Sequence, residues 1–172
     1  MKSTRKIIFL ALLIAIGVVL GIVENSLPVP IPIPGAKLGF ANIIQLIVIV
    51  LLGYKESLLT AFLRTFIVAI GTGNFSGLLY SLPSAIFSTI AMITIYNFFK
   101  DKFSLMGISI IGALIHNLTQ ILVAVAIMNN IRIAVYYPYM ALVSLFTGYF
   151  TGIAVYFFVK NSKKIIGDGE II

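Results

Sequence analysis

Six apolar stretches, at residues 7–23, 40–52, 57–70, 78–99, 105–127 and 138–159, run through this chain, and its charged residues fall almost wholly between them. An α-helix rises 1.5 Å per residue and a bilayer's hydrocarbon layer is about 30 Å deep, so about 20 apolar residues make one crossing. Four of the stretches have or approach that length, whereas the second and third, with 13 and 14 residues, do not. These two predict short helices that are extended by flanking residues, buried by neighbours, or folded as a re-entrant hairpin. With 60% hydrophobic and 10% charged residues and a mean hydropathy of +1.14, the chain lies far from soluble composition. The expectation is an all-α integral membrane protein. It has a single transmembrane domain over 1–172, six spans with short second and third helices, and no room for a separate soluble catalytic domain.

The first stretch comes after the basic start Met1-Lys-Ser-Thr-Arg-Lys6, as in a signal peptide. The residues next in line, Glu24-Asn-Ser-Leu-Pro, offer no small-residue cleavage site, so the stretch reads as a retained span. Orientation comes from the basic residues. With the N-terminus inside, the inner segments carry nine: Lys2, Arg5, Lys6, Lys55, Lys100, Lys102, Lys160, Lys163 and Lys164. The outer loops carry Lys37 and Arg132, and Arg64 falls within a span. That bias predicts both termini inside and residues 160–172 as a cytoplasmic tail; an odd span count would put the last lysine cluster outside.

Several chemistries are excluded by what the chain lacks. The net charge of +7 is dispersed along apolar segments and makes no nucleic-acid footprint. Cys is absent, which removes disulfides, thiolate metal sites and Cys nucleophiles. No phosphate-binding Gly-x-x-x-x-Gly-Lys-Ser/Thr loop occurs, so ATP-driven work needs other subunits. Asp101 and Asp168, the two aspartates, lie outside the spans and cannot cluster around Mg²⁺ on a diphosphate. A single histidine, His116, allows neither a His pair for zinc nor a credible Ser-His-acid triad. The chain is therefore read as no enzyme, with no metal and no cofactor.

Polar residues inside the spans are the candidate site. Arg64 lies near the middle of the third stretch, where a charge costs about 2.5 to 3.5 kcal/mol unless it faces protein or water. It either binds an anionic group of a substrate or snorkels to the interface. Asn42 and Gln45 share a helical face, as do His116, Asn117 and Gln120, and Ser81, Ser84 and Ser88 form a third strip. Such strips either join helices by hydrogen bonds or surround a polar pocket. The uncharged segment Gly71-Thr-Gly-Asn-Phe-Ser-Gly77 is likewise either a surface turn or a cavity lining.

The first outer loop, Leu27-Pro-Val-Pro-Ile-Pro-Ile-Pro34-Gly35-Ala-Lys37-Leu-Gly39, has proline at every second position over its first half. Proline fixes φ and removes amide donors, so the loop is a stiff strap able to cover an outward-facing cavity. Glu24 and Lys37 bracket it and either clamp a ligand or pair with each other. On the first span, Ala11 and Ala15, and Gly17 and Gly21, are pairs of small residues at a spacing that lets a helix approach closely. That helix belongs either to this chain or to a partner.

The segment Glu24-Asn-Ser-Leu-Pro…Pro34-Gly-Ala-Lys-Leu-Gly-Phe-Ala-Asn42-Ile-Ile-Gln45, with Arg64 and Ser81-Leu-Pro-Ser84, resembles a family of small bacterial membrane proteins. The family is labelled both Gx transporter and heptaprenyl diphosphate synthase component I. In length and layout the chain also resembles the substrate-binding S-components of energy-coupling-factor transporters. That resemblance implies a subunit of the bacterial cytoplasmic membrane that takes up a small organic molecule, working with a transmembrane coupling subunit and ATPase subunits. It implies docking through Ala11 and Ala15, and a lid over 24–39 including Glu24, Pro34, Gly35 and Lys37. The implied pocket holds Asn42, Gln45, Arg64, Ser84, His116, Asn117 and Gln120. The alternative is a non-catalytic membrane component of heptaprenyl diphosphate and isoprenoid-quinone biosynthesis.

Overall fold

A computed structural model describes residues 3–26, 39–40, 42–99 and 102–166. Among them six α-helices succeed one another: α1 (Ser3–Ser26), α2 (Asn42–Leu51), α3 (Tyr54–Thr72), α4 (Phe75–Phe99), α5 (Leu105–Met128) and α6 (Tyr137–Ile166). A 3-10 segment, Ile131–Tyr136, joins the last two, and no strand occurs among the described residues. Among the described residues, four helical runs are long and apolar enough to cross a membrane: Thr4–Ser26, Phe75–Phe99, Leu105–Met128 and Ile131–Ser162. Phe98, Phe146, Phe150 and Leu142 project from them into the surroundings. An exposed apolar surface of this extent suits lipid and not water, as expected of a multi-pass membrane protein.

The two short stretches have different outcomes. α2 is 10 residues long, about 15 Å, half of a crossing. It is sealed by its neighbours: Ile44, Leu46, Ile47, Val48 and Ile49 pack in one core with Leu13 of α1, Met92 of α4, Ile108 of α5 and Val155 of α6. The third helix corrects the expectation of a short one, because α3 runs for 19 residues, about 28 Å. Tyr54, Lys55 and Glu56 join its first turn and Gly71 and Thr72 its last, so charges that break the apolar pattern do not break the helix. Glu56 there suits the helix dipole and pairs with Lys6 of α1 at 2.5 Å.

The Gly-rich segment contracts accordingly. Only Gly73 and Asn74 remain outside helices, with Gly73 left-handed (φ 67°) and its amide donating to Ile70 O at 3.3 Å. Asn74 Oδ1 then accepts from the Gly77 amide at 2.8 Å and caps α4. Turns this tight make α3 and α4 antiparallel neighbours.

In lipid, helices associate through close packing and hydrogen bonds, since the surroundings are as apolar as the interface. The α5–α6 pair has both. A Cβ on Gly148 would lie 2.6 Å from Ile110 Cα, and one on Gly152 would lie 2.4 Å from Met106 Cα, so the two backbones touch. Ser109 and Thr151 share a hydrogen bond of 2.5 Å between the same helices. On the other side α1 and α3 run parallel, with Lys6 beside Glu56 at their starts and Gly21 against Val68 further along. Lys6, Lys55, Lys102 and Lys160 consequently gather at one end of the bundle.

Candidate functional site

The half of the bundle away from the lysines encloses a cavity of about 20 Å³. Its walls come from every helix but α6: Glu24, Asn42, Arg64, Thr65, Ser81 and His116, with Gly21, Gly39 and Val68 closing the gaps. Such a volume holds about one water molecule. A smaller cavity of about 10 Å³ shares Thr65, Val68 and Ser81 with it and reaches Thr72 and Asn74 at the α3–α4 turn.

Glu24 lies in the last turn of α1 at 3% exposure. Its Oε1 accepts hydrogen bonds from the amide of Gly39 and from that of Phe40, the latter at 3.3 Å. Gly39 is left-handed (φ 86°), and its carbonyl accepts from the Asn42 amide at 3.0 Å. A carboxylate is thus fixed at the approach to the α2 N-terminus, where the helix dipole favours it, and it sets where Asn42 stands. Of the two loop-bracketing charges, Glu24 is committed to backbone amides; Lys37, with Pro34, Gly35 and the rest of 27–38, lies outside the described residues.

Asn42, at 1% exposure, faces the cavity with neither Nδ2 nor Oδ1 in a hydrogen bond. Buried side-chain amides are nearly always satisfied, so both ends of one left open is an exception that calls for a cause. Arg64 is 6% exposed and does not snorkel. Its stem lies across α1 where Gly17 has no side chain: a Cβ there would stand 2.8 Å from Arg64 Cδ. The adjoining Nε, also without a partner, and the opposing charge of Glu24 belong to the same cavity.

The other expected residues go elsewhere. With its amide oriented to suit its neighbours, Gln45 donates to Ser57 O and accepts from the Ala61 amide, each at 3.1 Å, and so ties α2 to α3. Ser84 Oγ donates to Tyr80 O at 2.7 Å within α4. Asn117 Nδ2 donates to Ser144 Oγ at 2.7 Å and joins α5 to α6. Gln120 is buried on α5 outside the cavity lining, whereas His116, one helical turn earlier, is in it. Thr65 is a lining residue that polar patterning did not single out; its hydroxyl donates to Ala61 O at 2.7 Å, as threonines do in any helix. On α1, Gly17 and Gly21 face α3 of the same chain, while Ala11 and Ala15 are exposed on the opposite side.

Long apolar helices closed around a buried, charge-bearing polar chamber define a multi-pass membrane protein that keeps selected polar groups out of lipid. The chain belongs to the family described as heptaprenyl diphosphate synthase component I, whose model matches residues 13–158. No curated protein and no solved structure matches the chain.

Proposed function

We propose that this protein is the substrate-binding membrane subunit of a transporter of the energy-coupling-factor type, seated in the bacterial cytoplasmic membrane. It captures a small organic molecule in the chamber between α1, α2, α3, α4 and α5. Partner subunits hydrolyse ATP, and the chain itself catalyses nothing. The observation that carries this is Asn42, buried in the chamber wall with both amide atoms unsatisfied. A residue with a purely architectural task would have spent those atoms on a neighbouring helix, as Gln45 does with both of its amide atoms.

The chamber stands in the half of the bundle away from the lysines, which the charge bias puts toward the outer side. At about 20 Å³ it is smaller than any organic ligand, so its walls move apart to admit one. Ala11 and Ala15, exposed on α1, are the face offered to a transmembrane coupling subunit. The loop over 24–39 serves as the lid, anchored through Glu24 on Gly39 and Phe40.

The family description favours a second reading, a non-catalytic membrane component of heptaprenyl diphosphate and isoprenoid-quinone biosynthesis. Affinity purification of the tagged chain from its native membrane, with identification of what comes with it, separates the two. A coupling subunit with ATPases supports transport. A soluble prenyl synthase in their place overturns it.

A further inference from the structure

We infer that the chamber recognises an uncharged edge of its ligand, one that carries a hydrogen-bond acceptor beside a donor, as a carboxamide or a lactam does. The inference rests on the small-molecule-binding reading above and names the chemical class. Nδ2 and Oδ1 of Asn42 and Nε of Arg64 are buried in this chamber without a protein partner. Within the protein each lacks the hydrogen bond that would offset its burial. Asn42 offers a donor and an acceptor side by side in one plane, and the group that satisfies both is another amide edge, through two parallel hydrogen bonds. Arg64 Nε adds one more donor for a second acceptor on the same molecule.

Charge decides between such an edge and an anion. Among the described lining residues, Arg64 and Glu24 carry opposite formal charges at neutral pH, His116 counts as neutral, and all three are buried. Glu24 acts on Arg64 through space while its oxygen is fixed on the Gly39 and Phe40 amides, so it cannot withdraw. A carboxylate or phosphate entering this space would add an unbalanced negative charge next to Glu24 at low dielectric. An amide edge adds none. The Arg64 guanidinium, taken alone, suggests an anionic ligand; with Glu24 in the same wall it does not.

The test uses the full chain in lipid nanodiscs with three probes, benzamide, benzoate and uracil, measured by equilibrium dialysis. Benzamide and benzoate share a ring and differ in amide against carboxylate; uracil presents a lactam edge. For fragments this small, dissociation constants of about 1 mM are the scale to expect. The expected result is binding of benzamide or uracil with benzoate at least about tenfold weaker. Asn42→Leu lowers the amide affinity at least about tenfold with a melting temperature unchanged or raised, since it removes two unsatisfied atoms from the interior. Should Asn42→Leu not fold, Asn42→Ala is read in its place; it too removes both amide atoms from the chamber wall and adds no charge beside Glu24. Tighter binding of benzoate overturns the inference and leaves a ligand-holding subunit standing. Equal affinity in the Asn42 variants also overturns it. So does the absence of amide binding up to about 10 mM, which means that water alone fills the chamber.

Discussion

Arg64 lies across Gly17: the space that a Cβ at Gly17 would need comes within 2.8 Å of Arg64 Cδ. A glycine on one helix thereby fixes the position of a buried cation on another. One turn on, Gly21 stands in the same relation to Val68, whose Cγ2 would lie 2.9 Å from an added Cβ. The neighbours differ in stiffness, and so should the variants. Gly17→Ala displaces a flexible stem and gains helix propensity, leaving stability within about 1 kcal/mol while moving the guanidinium and weakening ligand binding. Gly21→Ala meets a β-branched side chain with little freedom at χ1 and destabilises by about 1 to 2 kcal/mol. Thermal melting of both variants in nanodiscs, alongside ligand binding, checks the contrast.

Gly152→Ala should cost more than either. Its Cβ would come 2.4 Å from Met106 Cα, a backbone atom that cannot turn aside, so α5 and α6 must separate. Overpacking of this kind costs about 3 kcal/mol, and here it also strains the Ser109–Thr151 hydrogen bond. A loss of folded protein on size exclusion, or a large fall in melting temperature, is the expected outcome.

Glu24→Gln tests the anchor at the start of α2. The carboxylate accepts from the Gly39 and Phe40 amides and opposes the charge of Arg64. A neutral amide weakens the hydrogen bonds and leaves a buried cation uncompensated, for a loss of about 2 to 3 kcal/mol. Adding Arg64→Met removes the stranded charge and should restore part of the loss, so the double variant melts higher than Glu24→Gln alone.

Lys6 and Glu56 tie the starts of α1 and α3 together at 2.5 Å. The hydrogen bond from Lys6 is the main cause that holds the Glu56 carboxyl below its ordinary 4.5, with burial opposing it. Because the folded value is the lower one, the stabilisation is complete above the unfolded value and is lost as pH falls through the folded one. Wild-type protein should therefore lose melting temperature below about pH 4.5 more steeply than Lys6→Met. Both side chains are partly exposed, so the difference is small and shrinks with added salt.

The helical membrane architecture was open to reading in the sequence because apolar length is a direct physical requirement of lipid. The extent of α3 was not, since Lys55, Glu56 and Arg64 lower its apolar character while leaving helix propensity intact. Ala11 and Ala15 obey the same spacing rule as Gly17 and Gly21, yet only the glycines face α3, and spacing on one helix cannot say which side its neighbour takes. Gly148 and Gly152, where two backbones touch, carry that spacing as well and did not stand out in a glycine-containing apolar run. Polar periodicity behaved similarly. Asn42 and Gln45 share a face, but three residues of helical rise carry Gln45 down to the α3 backbone and leave Asn42 at the chamber. His116 and Asn117 are adjacent, and about 100° of helical rotation sends one to the chamber and the other to Ser144.

A membrane bundle that holds a small polar cargo at Asn42 and Arg64 should carry it into native mass spectrometry of the chain released from nanodiscs after gentle extraction. Wild-type protein should give a species heavier than the 18.7 kDa polypeptide by one small organic molecule, absent from Asn42→Leu and from Arg64→Met prepared in the same way. A bare polypeptide mass in wild-type protein, or an adduct that survives unchanged in both variants, would contradict it.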